Sequence, residues 1–221
     1  MAGNDQFLSR ESRDLAEPGS RSRLGRRSLL IGAAASLLSG PALAAVSAGD
    51  DPYPLPKFNY GTIPEPFRPV IVGYRGRQLP GTIIVDTAAR QLQLILDGGQ
   101  AMRFGCAVGK DGFRWAGLAD VGRKVMWPKW TPPKEMIARA PEKAKWANGM
   151  PGGPDNPLGA RALYLFQNGQ DTLYRIHGTT EPQSIGKRAS SGCIRMINQD
   201  VVELFRRAPI GARVVVLAEG V

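Results

Sequence analysis

Two side chains in this sequence have the types and spacing needed for acyl transfer by a thiol. The only histidine of the 221 residues, His177, stands 16 residues before Cys193. A thiol with its ordinary pKa of about 8.5 is mostly protonated at neutral pH, so it needs a neighbouring base to become a good nucleophile. An imidazole can take that proton and later return it to a leaving amine. The pair predicts Cys193 as nucleophile and His177 as proton donor and acceptor.

Glycines beside both residues fit the same chemistry. An imidazole acts as a defined base when an acceptor on its other nitrogen fixes one tautomer, and the backbone carbonyl of Gly178 could do this. Gly192 allows a sharp turn that exposes the thiol and turns backbone N–H groups toward a developing oxyanion. Each such donor is worth roughly 2.7–4 kcal/mol in comparable sites. We therefore expect Gly178 to orient His177 and Gly192 to contribute to an oxyanion hole.

The second cysteine, Cys106, leaves an alternative open. It stands in a predicted strand and is most simply a buried core residue. In an oxidising compartment it could instead form a disulfide with Cys193, which would remove the nucleophile. We expect a free Cys193.

The elements that must position these residues are mostly strands. β-rich segments are separated by turn residues, and Asn168-Gly169 indicates a tight hairpin. One amphipathic helix is predicted over Gln199–Arg207, with Asn198 as its N-cap. The pattern predicts a mainly β domain with one or two short helices, whose strands lie at 81–86, 92–96, 102–108, 163–166, 172–176 and 214–217.

The segment between Gly109 and Gly159 is difficult to assign to regular structure. It contains seven Pro, eight Gly and all four Trp of the chain. A long irregular segment inside a domain is usually functional. The indoles could pin the loop to the sheet, or some could line a substrate groove. For the second role we select Trp127 and Trp130.

The N-terminal residues are predicted to be an export signal at 1–44. Arg26-Arg27 precedes an uncharged stretch from Ser28 to Gly49, and Ala42-Leu43-Ala44 suits a signal peptidase. The paired arginines resemble a twin-arginine signal. The alternative is an uncleaved membrane anchor. Residues 45–80 are Pro-rich and predict an extended arm or linker, followed by a domain at 81–221.

Composition excludes several classes of function. Two Cys and one His cannot supply a four-ligand zinc site of the Cys/His type. The formal net charge is +10, but no run of five or more basic residues indicates a nucleic-acid arm. An exported basic protein more plausibly meets an anionic cell envelope. We therefore expect no nucleic-acid partner, and membrane contact only in passing, through the export signal.

With these residues in place, the sequence resembles the L,D-transpeptidase (YkuD) catalytic domain family over roughly residues 81–218. The motif that carries the resemblance is His177-Gly178-Thr179 followed by Ser190-x-Gly192-Cys193-Ile194-Arg195-Met196, with Asn198 and Asp200. Two further segments, 127–133 and 151–159, extend it upstream. The residue between Ser190 and Gly192 is often His in this family and is Ser191 here, so His177 must act alone.

The resemblance implies a β-sandwich or sheet fold peculiar to the family and an exported enzyme of the periplasm or cell envelope that acts on peptidoglycan stem peptides. Cys193 would attack the carbonyl before the terminal D-Ala and pass the acyl group to an amine, giving a 3→3 cross-link. Arg195 would support the site or meet a substrate carboxylate, although a structural ion pair is equally compatible. Ser190 and Ser191 would line the substrate site, and no metal or organic cofactor is needed.

Three alternatives for the activity stay open at this point. Water as acceptor would make the protein an L,D-carboxypeptidase. An envelope lipoprotein as acceptor would be attached to the wall. A non-catalytic module could instead bind peptidoglycan through its Trp-bearing loop and its positive charge.

Overall fold

A sheet of nine strands frames the part of the chain that the computed structural model describes, residues 51–110 and 115–218. Its strand order is β1-β4-β3-β2-β11-β6-β7-β8-β10, and β5 pairs with β9 in a separate ribbon. The strands are β1 Val70–Gly73, β2 Ile83–Asp86, β3 Gln91–Leu96, β4 Gln100–Gly105, β5 Val108–Gly109, β6 Gly117–Met126, β7 Arg161–Gln167, β8 Gln170–His177, β9 Arg188–Ser190, β10 Ile194–Arg195 and β11 Arg213–Leu217. The α-helices are α1 Lys134–Arg139 and α2 Asn198–Arg207. The expected mainly β architecture is confirmed.

The predicted hairpins form as expected. β2 and β3 pair antiparallel across the turn at 87–90, and β7 and β8 pair across Asn168 and Gly169. Both turn residues have positive φ, 51° and 77°, as a two-residue turn of this kind requires. The third predicted strand is shorter than expected, because β4 ends at Gly105 and Val108 belongs to the separate ribbon.

The segment 109–159 contains more regular structure than its composition predicts. β6 runs for ten residues through it, between β11 and β7. Ala119 and Val121 face the core, and the register with β7 shifts between Val121 and Arg123. A side chain at Gly122 would collide with the Phe166 ring, so glycine is required where the two strands approach closely. The bulge interrupts the alternation of apolar and polar residues, and charged residues occupy the outer face, so the sequence pattern does not predict this strand.

The described part of the Pro-rich segment packs onto the sheet. Short 3-10 turns form at Tyr60–Thr62 and Glu65–Phe67, and β1 adds an edge strand beside β4. Ile63 is buried in a small cluster with Ala107, Ile185 and Ile197. The export signal predicted for 1–44 lies outside the described residues. Among the helices that the structure does describe, none combines the length and apolar character needed to span a bilayer.

α2 forms where the sequence predicts it, but its predicted N-cap was wrong. Val201 and Leu204 are fully buried against the sheet. The N-cap residue is Ile197, and within the described residues no side chain caps the helix. The Asn198 amide is used elsewhere: its oxygen accepts from the backbone N–H groups of Ala160 and Thr179, and its nitrogen donates to the Thr179 carbonyl.

Candidate active site

The two candidate catalytic residues come to the same face of the sheet through the pairing of β8 with β10. These strands are parallel, with Ile176 opposite Ile194 and His177 opposite Arg195. Cys193 directly precedes β10, so its backbone lies beside Arg175. Alternate residues of a strand share a face. Both isoleucines are buried in the core, which leaves Cys193 and His177 as diagonal neighbours on the opposite face.

The imidazole is held in one tautomer by the backbone. Nδ1 of His177 lies 2.6 Å from the Gly178 carbonyl oxygen. A carbonyl can only accept, so Nδ1 carries the proton and Nε2 keeps its lone pair. The carbonyl named from the sequence occupies the expected position.

His177 is a neutral base at physiological pH. Burial lowers its pKa from 6.5 to about 4, and the charges of Arg195 and Arg175 act in the same direction. Backbone hydrogen bonds to Gly178 and Leu158 oppose this shift without cancelling it. The free ring can therefore accept a proton at neutral pH.

The thiol of Cys193 is also neutral in the resting protein. The residue is half-buried, and Sγ lies 3.9 Å from the Leu173 carbonyl oxygen. Burial raises the pKa of the thiol, while the backbone and charge of Arg175 and the charge of Arg195 act to lower it. The same two guanidinium groups thus act on both members of the pair.

A bulge in β8 positions the Leu173 carbonyl beside the thiol. The register with β7 shifts between Tyr164 and Phe166, and Leu173 takes a positive φ of 65°. The Asp171 carboxylate accepts from the Leu173 N–H, at 2.8 Å. This bulge could not be predicted, because residues 172–176 have the pattern of a regular strand.

Ser190 organises the turn that carries the cysteine. Its hydroxyl donates to the Cys193 carbonyl at 2.5 Å and accepts from the Gly192 N–H at 3.1 Å. Ser190 is buried, whereas Ser191 is exposed. Gly192 has φ of 119°, a conformation that favours glycine. The Gly192 N–H predicted for an oxyanion hole is thus bonded to Ser190 in this structure.

Arg195 forms a structural ion pair, which is one of the two roles that the sequence analysis considered for it. Its guanidinium lies 2.7 Å from a Glu181 carboxylate oxygen, and the Glu181 side chain is 57% exposed. An ion pair with an exposed partner is weak and exchangeable. A substrate carboxylate could therefore compete with Glu181 for Arg195.

The two tryptophans selected from the sequence have structural contacts. Trp127 is buried, its indole N–H donates to Asp51, and its ring packs edge-on against Tyr53 at 4.9 Å. Trp130 pairs with Met150 through two backbone hydrogen bonds. Trp127 therefore anchors the segment at 51–53, and Trp130 joins two parts of the loop.

Two aromatic residues that the sequence analysis did not select, Trp115 and Tyr174, pack against the hydrophobic core. Their rings stack with centroids 5.3 Å apart. Burial raises the pKa of the Tyr174 phenol, and the charge of a Cys193 thiolate acts in the same direction. Arg175 was also missed, although its position two residues before His177 on a predicted strand assigns it to the same face.

Neither the second cysteine nor a metal cluster competes for this chemistry in the described part of the chain. Cys106 is fully buried in the core, and both cysteines are free thiols. Among residues 51–110 and 115–218, no group of three or more His, Cys, Asp or Glu side chains could hold a metal ion.

Comparison with known proteins agrees with the motif. A family model described as the L,D-transpeptidase catalytic domain (YkuD) matches residues 80–216. A protein of Fuscovulum blasticum, from the ATP synthase subunits region and carrying an L,D-transpeptidase name, is 38% identical over 137 residues, covering 61% of this chain and 68% of that protein. "Probable L,D-transpeptidase YbiS" of Escherichia coli K12 is 44% identical over 103 residues, 46% of this chain and 32% of its own length.

Solved structures similar to this chain include one that covers nearly three quarters of it. It is a Brucella melitensis protein described as a probable carnitine operon oxidoreductase, 49% identical, with a TM-score of 0.49. The match covers 72% of this chain and 99% of that one.

Proposed function

The chain belongs to the L,D-transpeptidase catalytic domain family, and from this premise we propose that it is a peptidoglycan L,D-transpeptidase with Cys193 as its nucleophile. The observation that carries the proposal is the shared face of His177 and Cys193, with the Nδ1 proton of His177 fixed on the Gly178 carbonyl. In this proposal Nε2 of His177, which keeps its lone pair, would be the acceptor for the proton of the neutral Cys193 thiol.

The first half-reaction would form a thioester. The Cys193 thiol gives its proton to Nε2 of His177 as Sγ bonds to the stem-peptide carbonyl carbon that precedes the terminal D-Ala. The tetrahedral intermediate then breaks its carbon–nitrogen bond, and the imidazolium returns the proton to the departing D-Ala amine. Because the Cys193 thiol and the His177 imidazole are both neutral before the reaction, the proton must move to His177 as Sγ attacks the carbonyl carbon.

The second half-reaction would restore the enzyme. A side-chain amine of a neighbouring stem attacks the thioester carbon, loses its proton through His177, and expels the Cys193 thiolate, which is then reprotonated. The product is a 3→3 cross-link. Water in place of the amine would give carboxypeptidase activity, and an amine of an envelope lipoprotein would attach that protein to the wall.

Backbone amides would stabilise the oxyanion in both steps. The N–H of Cys193 is one donor, and that of Gly192 is the second once it turns from Ser190 Oγ to the stronger, charged acceptor. Arg195 could exchange Glu181 for a carboxylate of the stem peptide. Residues 1–44 would export the protein to the periplasm or cell envelope, where this substrate is found.

The deciding experiment uses the purified protein and its two cysteines as matched sites. A carbapenem should add covalently to Cys193, visible as a mass increase on the intact protein. The adduct should be lost in Cys193→Ala and kept in Cys106→Ala. Incubation with stem-peptide muropeptides should release D-Ala and form cross-linked dimers, and both should stop in Cys193→Ala and His177→Ala.

The outcomes separate the alternatives. Release of D-Ala without dimers would identify a carboxypeptidase. No adduct and no release from folded wild-type protein would overturn the assignment of a thiol enzyme.

A further inference from the structure

Asn198 lies at the point where two loops meet around the catalytic imidazole. Its Oδ1 accepts from the N–H of Ala160 at 3.0 Å and of Thr179 at 3.2 Å, and its Nδ2 donates to the Thr179 carbonyl at 3.1 Å. The amide orientation is unambiguous, because N–H groups need an acceptor and a carbonyl needs a donor. One side chain therefore ties the loop 158–160 to the backbone that follows β8.

One of these segments carries the carbonyl that binds the imidazole. Gly178 O lies 2.6 Å from Nδ1 of His177, and it belongs to the peptide unit that joins Gly178 to Thr179. The other segment begins at Leu158, two residues before Ala160, and the Leu158 backbone acts to raise the pKa of the ring. The N–H of Gly178 is held separately by the Arg161 carbonyl at 3.0 Å. The position of the Gly178 carbonyl thus depends on a backbone segment that Asn198 holds.

The fit around Asn198 leaves no room for adjustment. A side chain at Gly159 or at Gly178 would collide with Asn198 Oδ1, so both backbones contact the amide directly. Gly159 also has a φ of 62°, which glycine adopts without strain. A side chain that only caps a helix contacts the backbone of its own helix. Asn198 instead contacts the backbone of two other segments at Gly159 and Gly178, as a positioning amide must.

We propose that Asn198 is a positioning residue for His177: through Oδ1 it fixes the Gly178–Thr179 backbone, so that the Gly178 carbonyl keeps the proton on Nδ1 and the lone pair on Nε2. This inference rests on the proposed role of His177 as base. Its direct consequence, the tautomer of the ring, can be observed whether or not the protein is a transpeptidase.

The test uses the fact that the chain has a single histidine. Nitrogen NMR of ¹⁵N-histidine-labelled protein reports only His177, and wild type should show one tautomer, protonated at Nδ1. Asn198→Leu keeps the branching and the number of heavy atoms of the side chain and removes all three hydrogen bonds. It should give a mixed Nδ1–H and Nε2–H population, with carbapenem acylation slowed about 10- to 100-fold and its pH profile altered.

Two further variants control for a general structural effect. Asn198→Asp keeps an oxygen acceptor for both N–H groups and loses the bond to the Thr179 carbonyl. Because the proposal rests on Oδ1, this variant should retain the Nδ1–H tautomer, with acylation within about tenfold of wild type. Gln199→Ala removes the neighbouring amide on the same helix turn, which donates to the Pro56 carbonyl. Its ring signals should match wild type.

Each outcome bears on the proposal. A folded Leu variant with an unchanged tautomer and pH profile would overturn it. If the Leu variant does not fold, the Asp variant decides, because a mixed tautomer there would show that an oxygen at this position does not fix the ring. A single tautomer that mixes on loss of Asn198, in a protein whose wild type is not acylated, would support the positioning role and reject the proposed function alone.

Discussion

Arg195 stands directly opposite His177 in the parallel pairing of β10 with β8, one strand away from the buried imidazole. A positive charge at that position disfavours the imidazolium and favours a thiolate. Arg175, two residues before His177 on β8, adds to both effects, since its charge lowers the pKa of His177 and of Cys193. The two arginines therefore favour the Cys193 thiolate and keep His177 neutral, and these two effects oppose each other in the transfer of a proton from the thiol to the imidazole.

The first prediction tests whether one positive charge acts on the pKa of both His177 and Cys193, an effect that we call the shared field. The variant is Arg175→Met, which keeps the aliphatic part of the side chain. Loss of the charge should raise the pKa of the Cys193 thiol and also raise that of His177. Iodoacetamide alkylation of Cys193 against pH and the NMR titration of His177 measure the two values. In Arg206→Met, an exposed arginine paired with Glu203 on α2, neither should move. Opposite shifts of the two groups would contradict the shared field.

The second prediction concerns the bulge that presents the Leu173 carbonyl to the thiol. Leu173 is 76% exposed at φ 65°, where a side chain costs roughly 1 kcal/mol and glycine does not. Leu173→Gly should therefore raise the free energy of unfolding by about 1 kcal/mol with the thiol pKa unchanged. Leu173→Val should lower it by at least as much, because a β-branched residue tolerates this conformation poorly. Urea denaturation checks both, and a destabilised glycine variant would refute the strain.

The third prediction concerns the anchor of the N-terminal segment. Arg161 is buried and pairs with Asp51 at 2.5 Å, and the Trp127 indole donates to the same carboxylate. Burial acts to raise the pKa of Asp51, but these two bonds outweigh it and hold the pKa below its ordinary value. Asp51→Asn leaves the Arg161 charge buried without its partner and should cost about 3 kcal/mol of stability.

Chemical denaturation measures that cost, and protease digestion should then cut first within residues 51–80. Asp97→Asn, an exposed acid in the turn between β3 and β4, serves as the matched control and should change neither measurement. Equal stability of the two variants would mean that the ion pair does not anchor the segment.

Local signals predicted most of the fold, and long-range pairing explains what they missed. Asn168-Gly169 fixes a hairpin by its own backbone preferences, so β7 and β8 were visible in the sequence. β6 was not visible, because Gly122 interrupts its pattern and the reason for this glycine, the Phe166 ring of β7, lies far away in the sequence. The same holds for Asn198: a polar residue before an amphipathic run indicates a cap, and only the tertiary fold offers it backbone groups of two other loops.

In the candidate site, too, contacts between residues close in the sequence could be predicted and contacts made by tertiary pairing could not. The contact between His177 and the Gly178 carbonyl could be predicted, since the acceptor is the next residue in the chain, whereas the catalytic roles of His177 and Cys193 stay a prediction from residue chemistry and spacing. Trp127 and Trp130 stay a prediction for the substrate groove, and the anchoring contact of the Trp127 indole with Asp51 could not be predicted because the two residues are far apart in the sequence. Arg175 was missed because only the pairing of β8 with β10 brings its charge to bear on Cys193.

The last prediction concerns two buried groups whose titrations oppose each other. The pKa of His177 falls from 6.5 to about 4, so its contribution to stability is complete above pH 6.5 and is lost as pH falls toward 4. Burial raises the pKa of Asp200 from 3.8 to about 7, although a bond from the Tyr60 hydroxyl opposes this. Its contribution is complete below pH 3.8 and is lost as pH rises through 7. Each is worth on the order of 3–4 kcal/mol.

Between pH 4.5 and 6.5 the contribution of His177 to stability rises with pH while that of Asp200 falls. The two changes offset each other, so the free energy of unfolding of the wild type should change little in this range. Asp200→Asn removes the second contribution, so its free energy of unfolding should rise with pH across this range, following His177 alone. Glu203→Gln should keep the flat profile, because the pKa of this acid on the same helix is lowered, by bonds and charges of Arg207 and Arg206 that outweigh its burial, and its titration falls below the range. Urea denaturation at half-unit pH steps makes the measurement, and parallel curves for Asp200→Asn and wild type would show that Asp200 does not resist ionisation.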